Sequence, residues 1–296
     1  MSNKCKFTKQ QLFDIGVRAS RNYIVDEEIG YICPICLKIK RDIQALSKEH
    51  VPPKSTGGRI ICLTCQQCNS TAGHSIDAAM QEHLHMQEII MKGTKNKHVQ
   101  LKIAESAVNS EIKRSETKVD FIVNPQHNSP ETRQKFMDKL AGLHKEGGEL
   151  QIWYRNKFNE RHAMVGYLKS AYLAMFAKFG YAYILQECLN PVRKQIENPN
   201  EEIIWKWWLM RKDDIENPKI YIFNDPINCA VVAVRQHMIV LPAISEPSDQ
   251  YERIRSITEG KEKNECIGEF QYTHSFPFPT RMEMLGDWSA ADQPDC

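Results

Sequence analysis

The sequence contains no run of about 18 apolar residues, the length that a membrane-spanning helix requires, so we expect no membrane partner. Its opening, MSNKCKFTKQ, is polar and lysine-rich with no apolar stretch behind it, so we do not expect a secretory signal either. The net charge of only +2 excludes a histone-like polycation. No internal repeat is evident. Together these absences favour an ordinary globular protein of the cytoplasm.

The length of 296 residues suggests two domains or one large one, and a hydrophobic fraction of 42 % is enough to bury a sizeable core. Charge is unevenly distributed along the chain. Residues 38–59 hold six Lys or Arg against two acidic residues, and residues 92–118 hold seven against three Glu. Each stretch is either a solvated face or a surface that contacts a phosphate backbone.

Five of the ten cysteines lie between Cys33 and Cys68. Four of them form two pairs, Cys33-Pro34-Ile35-Cys36 and Cys65-Gln66-Gln67-Cys68. Four thiolates complete the tetrahedral shell of Zn²⁺ and leave no open position, which makes a structural site. Without a secretory signal this spacing favours metal over disulfides, and a reducing compartment; a redox dithiol and unligated thiols are the alternatives. Cys62 is out of register with both pairs and is interpreted as a buried thiol.

Apolar periodicity predicts helices over residues 8–20, 75–91, 129–147 and 161–179, and the last is apolar enough to be a central core helix. Alternation predicts strands at 98–106, 118–124, 150–154 and 220–223, and a hairpin over 229–244 that turns near Arg235–His237. The tail from Ser275, with SFPFPT and DQPDC, is predicted to be irregular. Residues 31–75 have too few periodic apolar positions for a conventional hydrophobic core, so this segment needs a cross-link, such as a structural metal ion, to be stable.

A compact group of polar motifs lies between and after the cysteine pairs. Glu49-His50-Val51-Pro52-Pro53 precedes Gly57-Gly58, and Leu63-Thr64 leads into Cys65-x-x-Cys68-Asn69-Ser70 and then Gly73. Over residues 31–77 this order resembles the ββα-metal core of HNH endonucleases, in the zinc-stapled, treble-clef-like bacterial subtype with an acidic-His pair and a CxxCN knuckle. The resemblance implies hydrolysis of phosphodiester bonds with one divalent cation, Mg²⁺ or Mn²⁺.

Carried over residue by residue, the resemblance implies that His50 is the general base that activates water. Glu49 and Asn69 would be oxygen ligands of the catalytic metal, and His74 would complete the metal shell or contact the scissile phosphate. These residue types suit the chemistry, because a hard cation prefers oxygen donors and an imidazole takes a proton from water near neutral pH. Adjacent strand residues point to opposite faces, so Glu49 and His50 can serve one site only if the strand is locally bent or if a metal ion bridges the two residues.

The sequence departs from the family at one position. Ile60 stands where the central Asn of the family usually orients the base, so a backbone carbonyl or Gln66 would have to take over that role. Two alternatives to a DNA nuclease therefore stay open. One is a catalytically inactive, zinc-dependent nucleic-acid-binding module. The other is an HNH RNase, because these residues do not distinguish deoxyribose from ribose.

We expect an α+β protein in two parts: an HNH module with its N-terminal helix over residues 1–92, and a larger α+β domain of unknown family over residues 93–296. Lys48, Lys54, Arg59 and the basic stretch 92–118 are expected to contact DNA phosphates. The second domain would bind DNA, form a homodimer, or sense a partner protein. Restriction, phage defence and mobile-element biology all fit such a nuclease, and no feature chooses between them.

Overall fold

A computed structural model of the protein describes residues 7–25, 28–92, 97–114, 118–153, 159–204, 208–210, 218–224, 227–244, 249–258 and 272–286. Helices and antiparallel sheets are mixed along the chain, as the sequence predicts. Packing divides the chain into two compact units, one of Met1–Gln81 with Glu160–Cys296 and the other of Glu82–Asn159. The predicted boundary near residue 92, between an HNH module and a second domain, concerns function and stays a prediction.

The first unit begins with helix α1, Lys9–Ser20, close to the predicted bounds. A capping box starts this helix: the Thr8 side chain accepts a hydrogen bond from Gln11 N, and the Gln11 side chain accepts one from Thr8 N. Strands β1, Tyr31–Ile32, and β2, Ile39–Lys40, form a two-stranded ribbon that encloses the first cysteine turn. A ribbon with only two residue pairs depends on its surroundings for stability.

The next elements follow the order strand, strand, helix. Strand β3, Leu46–Val51, pairs antiparallel with β4, Arg59–Cys65, and the connection contains a short 3₁₀ turn, Lys54–Thr56. Gly57 has φ of +86°, and a Cβ on Gly58 would lie 1.4 Å from Pro52 O, so this turn requires glycine at both positions. Helix α2, Gln66–Ala72, starts directly after β4. A π-helical turn, Gly73–Asp77, joins it to α3, Ala78–Lys92.

Helix α5, Glu160–Phe179, is the central core helix that the sequence predicts. Every residue from Ala163 to Phe179 is buried, because β3 and β4, the Gly73–Asp77 turn and a C-terminal sheet surround it. Close packing is built in at Gly166, where a Cβ would lie 2.9 Å from Ile76 O. Two shorter helices follow, α6 at Tyr181–Ile184 and α7 at Asn190–Glu197.

The C-terminal sheet has five antiparallel strands in the order β13-β10-β11-β12-β9. Their bounds are β9 Trp208–Met210, β10 Lys219–Phe223, β11 Cys229–Val234, β12 His237–Pro242 and β13 Tyr272–Pro277, and helix α8 spans Gln250–Thr258. The β11–β12 hairpin turns at Arg235, as predicted. The prediction that the tail is irregular from Ser275 is wrong for Ser275–Pro277. These residues pair with β10 because Phe276 alternates into the core and the proline ends an edge strand.

The second unit is a four-stranded antiparallel sheet with one helix. The order is β7-β6-β5-β8, and the bounds are β5 Lys97–Ile103, β6 Ser106–Arg114, β7 Val119–Val123 and β8 Gln151–Trp153. Helix α4, Pro130–Glu146, lies within the predicted range 129–147 and starts at the Ser129 cap with proline in its first turn. Strand β6 was not predicted. Within the described ranges, no helix combines the length and apolar character needed to cross a membrane.

Candidate functional site

The four cysteines of the two pairs come together in the first unit. The Sγ atoms of Cys33, Cys36, Cys65 and Cys68 all lie within 4.8 Å of one another. A tetrahedral ion with Zn–S bonds of about 2.3 Å requires S···S separations of roughly 3.8 Å. The Sγ atoms of Cys36 and Cys65 are 3.8 Å apart. The predicted cluster is therefore confirmed as a group that can hold one metal ion, and Cys62 is buried on β4 outside it.

Local backbone geometry prepares each cysteine turn. In the first turn, Leu37 N donates to Cys33 O at 2.9 Å, and Leu37 adopts a left-handed conformation with φ of +55°. Backbone N–H groups also face the sulfurs. Cys65 N donates to Cys33 Sγ at 3.3 Å, and Cys68 N donates to Cys65 Sγ at 3.5 Å. These contacts favour the thiolate form that a metal needs.

Three buried tyrosines connect the cysteine turns to the rest of the first unit through hydrogen bonds. Tyr31 Oη donates to Leu63 O and accepts from Leu63 N, so it satisfies the backbone of β4. Tyr172 Oη, on α5, donates to Pro34 O at 2.6 Å inside the first cysteine turn. Tyr181 Oη accepts from Ile32 N at 3.1 Å. Burial raises the pKa of all three phenols, so they stay neutral and able to donate.

The β3–β4 pairing is irregular at the acidic-His pair. Glu49 pairs with Cys62 but His50 pairs with Ile60, so the register shifts between the two residues and Ile61 of β4 is the extra residue of a β-bulge. The bulged strand is β4, opposite Glu49 and His50, so the expected bending of β3 itself stays a prediction. Ile60 does lie opposite His50, but its apolar side chain offers no hydrogen bond.

The Glu49 carboxylate is buried and held on both oxygens. Thr64 Oγ1 donates to Glu49 Oε2 at 2.9 Å, and Lys169 Nζ on α5 lies 2.7 Å from Glu49 Oε1. Lys169 Nζ also lies 2.8 Å from Asp77 Oδ2, in the π-helical turn. Burial lowers the pKa of Lys169, but the two facing carboxylates outweigh that effect and raise it, so the ammonium stays charged.

Asn69 extends from α2 towards the same face of β3. Its Nδ2 donates to Ser47 Oγ at 2.7 Å, two residues before Glu49, and its Oδ1 is the acceptor atom of the amide. His74 lies in the Gly73–Asp77 turn, but its side chain is outside the described part of the chain. Among the described residues, no hydrogen bond or ion pair joins Glu49, His50 and Asn69 to one another. Their convergence on one metal ion stays a prediction.

His50 is half-buried and surrounded by positive charge. Burial is the largest influence that lowers its pKa, and the charges of Lys54 and Lys48 lower it further. Lys48, Lys54 and Arg59 are all exposed. Arg59 lies opposite Val51, the residue after His50, in the β3–β4 pairing. The lowered pKa favours the neutral form of the imidazole, and the neighbouring cations attract an anion.

One comparison with known proteins bears on this site. Residues 33–85 match a family model described as HNH endonuclease, and the matched segment includes all four cysteines, Glu49, His50, Asn69 and Asp77. The resemblance found in the sequence is thereby confirmed, and this segment is an HNH module. The match covers less than a fifth of the chain. Searches of the curated proteins and of the solved structures returned no match.

Two residues of the site escaped the sequence analysis. Asp77 lies three residues after His74, in the matched segment, and was not considered because it falls outside the CxxCN motif. Lys169 lies 120 positions after Glu49, inside the largely apolar helix α5. The signal that could have identified it is its place between apolar residues, since a charge within a core helix is rarely buried without a partner.

Proposed function

We propose that the protein is a metal-dependent HNH endonuclease that hydrolyses phosphodiester bonds of DNA, with His50 as the general base. The HNH match over residues 33–85 supports nuclease activity on nucleic acid. The observation that carries the assignment to His50 is its environment: the side chain is half-buried opposite the β4 bulge, and burial and the charges of Lys54 and Lys48 lower its pKa. Such a group takes a proton from a water molecule that attacks a phosphate held by the lysines.

The four-cysteine cluster is proposed to hold Zn²⁺ as a structural ion. All four ligand positions are filled by sulfur, so the ion has no open position for substrate or water. Its role in this proposal is to fix the β1–β2 ribbon against the start of α2. That connection sets the distance between Asn69 on α2 and the acidic-His pair on β3.

A second ion, Mg²⁺ or Mn²⁺, is proposed at the acidic-His pair. Glu49, Asn69 through its Oδ1, and His74 would hold it, because carboxylate and amide oxygens are hard ligands. Each Glu49 oxygen already accepts one contact, from Lys169 or from Thr64, so it would bind the ion through its second lone pair. When bound, such an ion neutralises charge on the phosphate and on the leaving oxygen. Asn69 and Ser47 then keep their hydrogen bond, which holds the amide oxygen in a fixed direction.

DNA is the proposed substrate, and exposed cations around His50 support it. Lys48, Lys54 and Arg59 border the histidine, and phosphate contacts of this kind give affinity without sequence specificity. Replacing Lys48 and Lys54 together by Gln should raise the KM for DNA and flatten its salt dependence by about two charges. The residues of 93–296 are proposed to add DNA contacts, a dimer interface or a sensing surface.

The decisive experiment compares the wild type with His50→Ala on supercoiled plasmid and on single-stranded RNA, each with Mg²⁺ or Mn²⁺. His127→Ala is the matched control, because His127 is an exposed histidine of the second unit. We expect cleavage of plasmid by the wild type and the control, and a loss of at least 10²-fold in His50→Ala, the scale of general-base catalysis. Equal cleavage by both would remove His50 from the mechanism.

The two alternatives give different results in the same experiment. An inactive binding module retains nucleic acid on a filter but cleaves neither substrate with any divalent metal, and the apolar Ile60 opposite His50 is the observation that favours it. An HNH RNase cleaves RNA and leaves the plasmid intact. Zinc content measured on every variant ensures that loss of cleavage is not loss of fold.

A further inference from the structure

The strongest unexplained feature of the first unit is a buried ammonium between two carboxylates. Lys169 Nζ lies 2.7 Å from Glu49 Oε1 and 2.8 Å from Asp77 Oδ2. The side chains of Lys169 and Glu49 are only 2 % and 3 % exposed, and that of Asp77 is 16 % exposed. The three residues come from α5, β3 and the π-helical turn, so the cluster joins the central helix to both sides of the HNH module.

Stability alone does not account for this cluster. A buried ion pair loses the hydration of both charges, and replacing such a pair by apolar residues of similar volume often leaves stability equal or higher. Position 169 lies within a fully buried stretch of α5, where an apolar side chain would pack without that penalty. A charged residue at this position therefore points to a role in orienting its partners.

The partner whose orientation matters is Glu49, because it borders the β-bulge. The extra residue of the bulge, Ile61, is on β4, and it interrupts the ladder of backbone hydrogen bonds opposite Glu49 and His50, so the partner strand holds this part of β3 less firmly. Glu49 compensates with side-chain contacts on both of its oxygens, from Lys169 and from Thr64. His50 is the next residue along the strand. Fixing Glu49 against α5 thus fixes the part of the β3 backbone from which the imidazole extends.

We propose that Lys169 is a positioning residue of the nuclease centre, which acts through Glu49 and the neighbouring β-bulge to fix the orientation of the His50 side chain. The proposal rests on the proposed function, since it assigns a role to His50 in cleavage. It makes helix α5, which lies outside the segment matched by the HNH family, a necessary part of the site. Lys169 is buried and so does not contact DNA, which means that its loss should lower kcat and leave the KM for DNA unchanged.

The test uses two variants with different charge balance. Lys169→Met removes the ammonium and leaves two buried carboxylates facing each other. The double variant Lys169→Met with Asp77→Asn removes one charge of each sign, so the cluster keeps the net charge of the wild type while Glu49 loses its lysine. If the single variant does not fold, the double variant still reports on positioning. Zinc content and thermal melting establish that each protein is folded.

The chain offers a matched control on the same helix. Lys178 is also buried on α5, nine residues or about 13 Å along the helix axis from Lys169. It forms an ion pair with Glu283. Lys178→Met therefore removes a comparable buried pair without touching Glu49. We expect it to lower the melting temperature while the kcat per folded molecule stays at the wild-type value.

For the double variant we expect a 10- to 100-fold loss of kcat, the range found when partners that orient site residues are removed, with an unchanged KM. A wild-type kcat in the folded double variant, or equal losses in the Lys178 control, would overturn the proposal. The His50 ring resonance in the NMR spectrum, assigned through His50→Ala, gives a readout that does not need activity. It should shift in the double variant and not in the control. If the wild type cleaves nothing, the proposed function fails, and the ring resonance alone decides whether Lys169 aims His50.

Discussion

Removing the metal from the four-cysteine cluster should unfold the region around it and with it the candidate nuclease site. The β1–β2 ribbon has only two residue pairs, and no ribbon of that size is stable alone. Its other contacts with the first unit include the hydrogen bonds of Tyr31, Tyr172 and Tyr181, which contribute about 1 kcal/mol each. Structural zinc in small domains contributes about 10–16 kcal/mol, which exceeds what those bonds can replace.

The size of the effect follows from this imbalance. Native domains are stable by only about 5–15 kcal/mol, so a loss of even ~5 kcal/mol leaves the first unit marginal. For a unit of this length such a loss corresponds to a fall in Tm of about 10–20 °C. The fall should be reversed by adding Zn²⁺ and should not be reversed by Mg²⁺, because thiolates bind the softer ion.

The assay combines metal analysis with thermal melting. One Zn²⁺ per chain is expected in the purified protein, and Cys36→Ser should lose it and melt at the temperature of the chelator-treated wild type. Cys229→Ala is the control, because Cys229 is a buried cysteine of β11 outside the cluster. The reasoning is refuted if the protein stripped of metal melts within about 2 °C of the untreated protein, or if Cys36→Ser retains stoichiometric zinc.

Three further predictions concern single positions. Tyr172→Phe should reduce the free energy of unfolding by about 1–3 kcal/mol in denaturant titration, because Pro34 O loses its buried donor; no change would mean that water replaces the hydroxyl. Gly58→Ala should yield insoluble or metal-free protein, since its Cβ would overlap Pro52 O, and normal zinc content would contradict the turn geometry. Phe136→Ala should cost the second unit about 3–5 kcal/mol by leaving a cavity in its core, while the zinc content of the first unit stays at the wild-type value.

The local features of the site were predictable because their signals are local. Two Cys-x-x-Cys turns each place a pair of sulfurs within a few residues, and only their meeting in space needed the structure. An irregularity near Glu49 and His50 was expected, because neighbouring residues of a regular strand point to opposite faces, but that its extra residue, Ile61, lies on the partner strand β4 was not. Helix α5 was predicted from its continuous apolar character.

The contacts that hold the site together were not predictable from one sequence. Lys169 meets Glu49 across 120 positions, and Tyr181 meets Ile32 across 149, and nothing in the spacing of either pair marks them as neighbours. The error at Ser275–Pro277 has a different cause. Prolines indicate irregular structure in isolation, but an edge strand needs hydrogen bonds on one side only, so a neighbouring strand can recruit such a segment.

The burial of α5 has a consequence during synthesis of the chain. The HNH segment leaves the ribosome more than 80 residues before Lys169 does, and most of the second unit is translated in between. At about 5–20 residues per second, the segment waits roughly 4–17 s without the helix that covers Glu49. During that interval the Glu49 carboxylate lacks its lysine partner. A nascent chain of this protein therefore carries the HNH segment before it has the helix that completes the core around it.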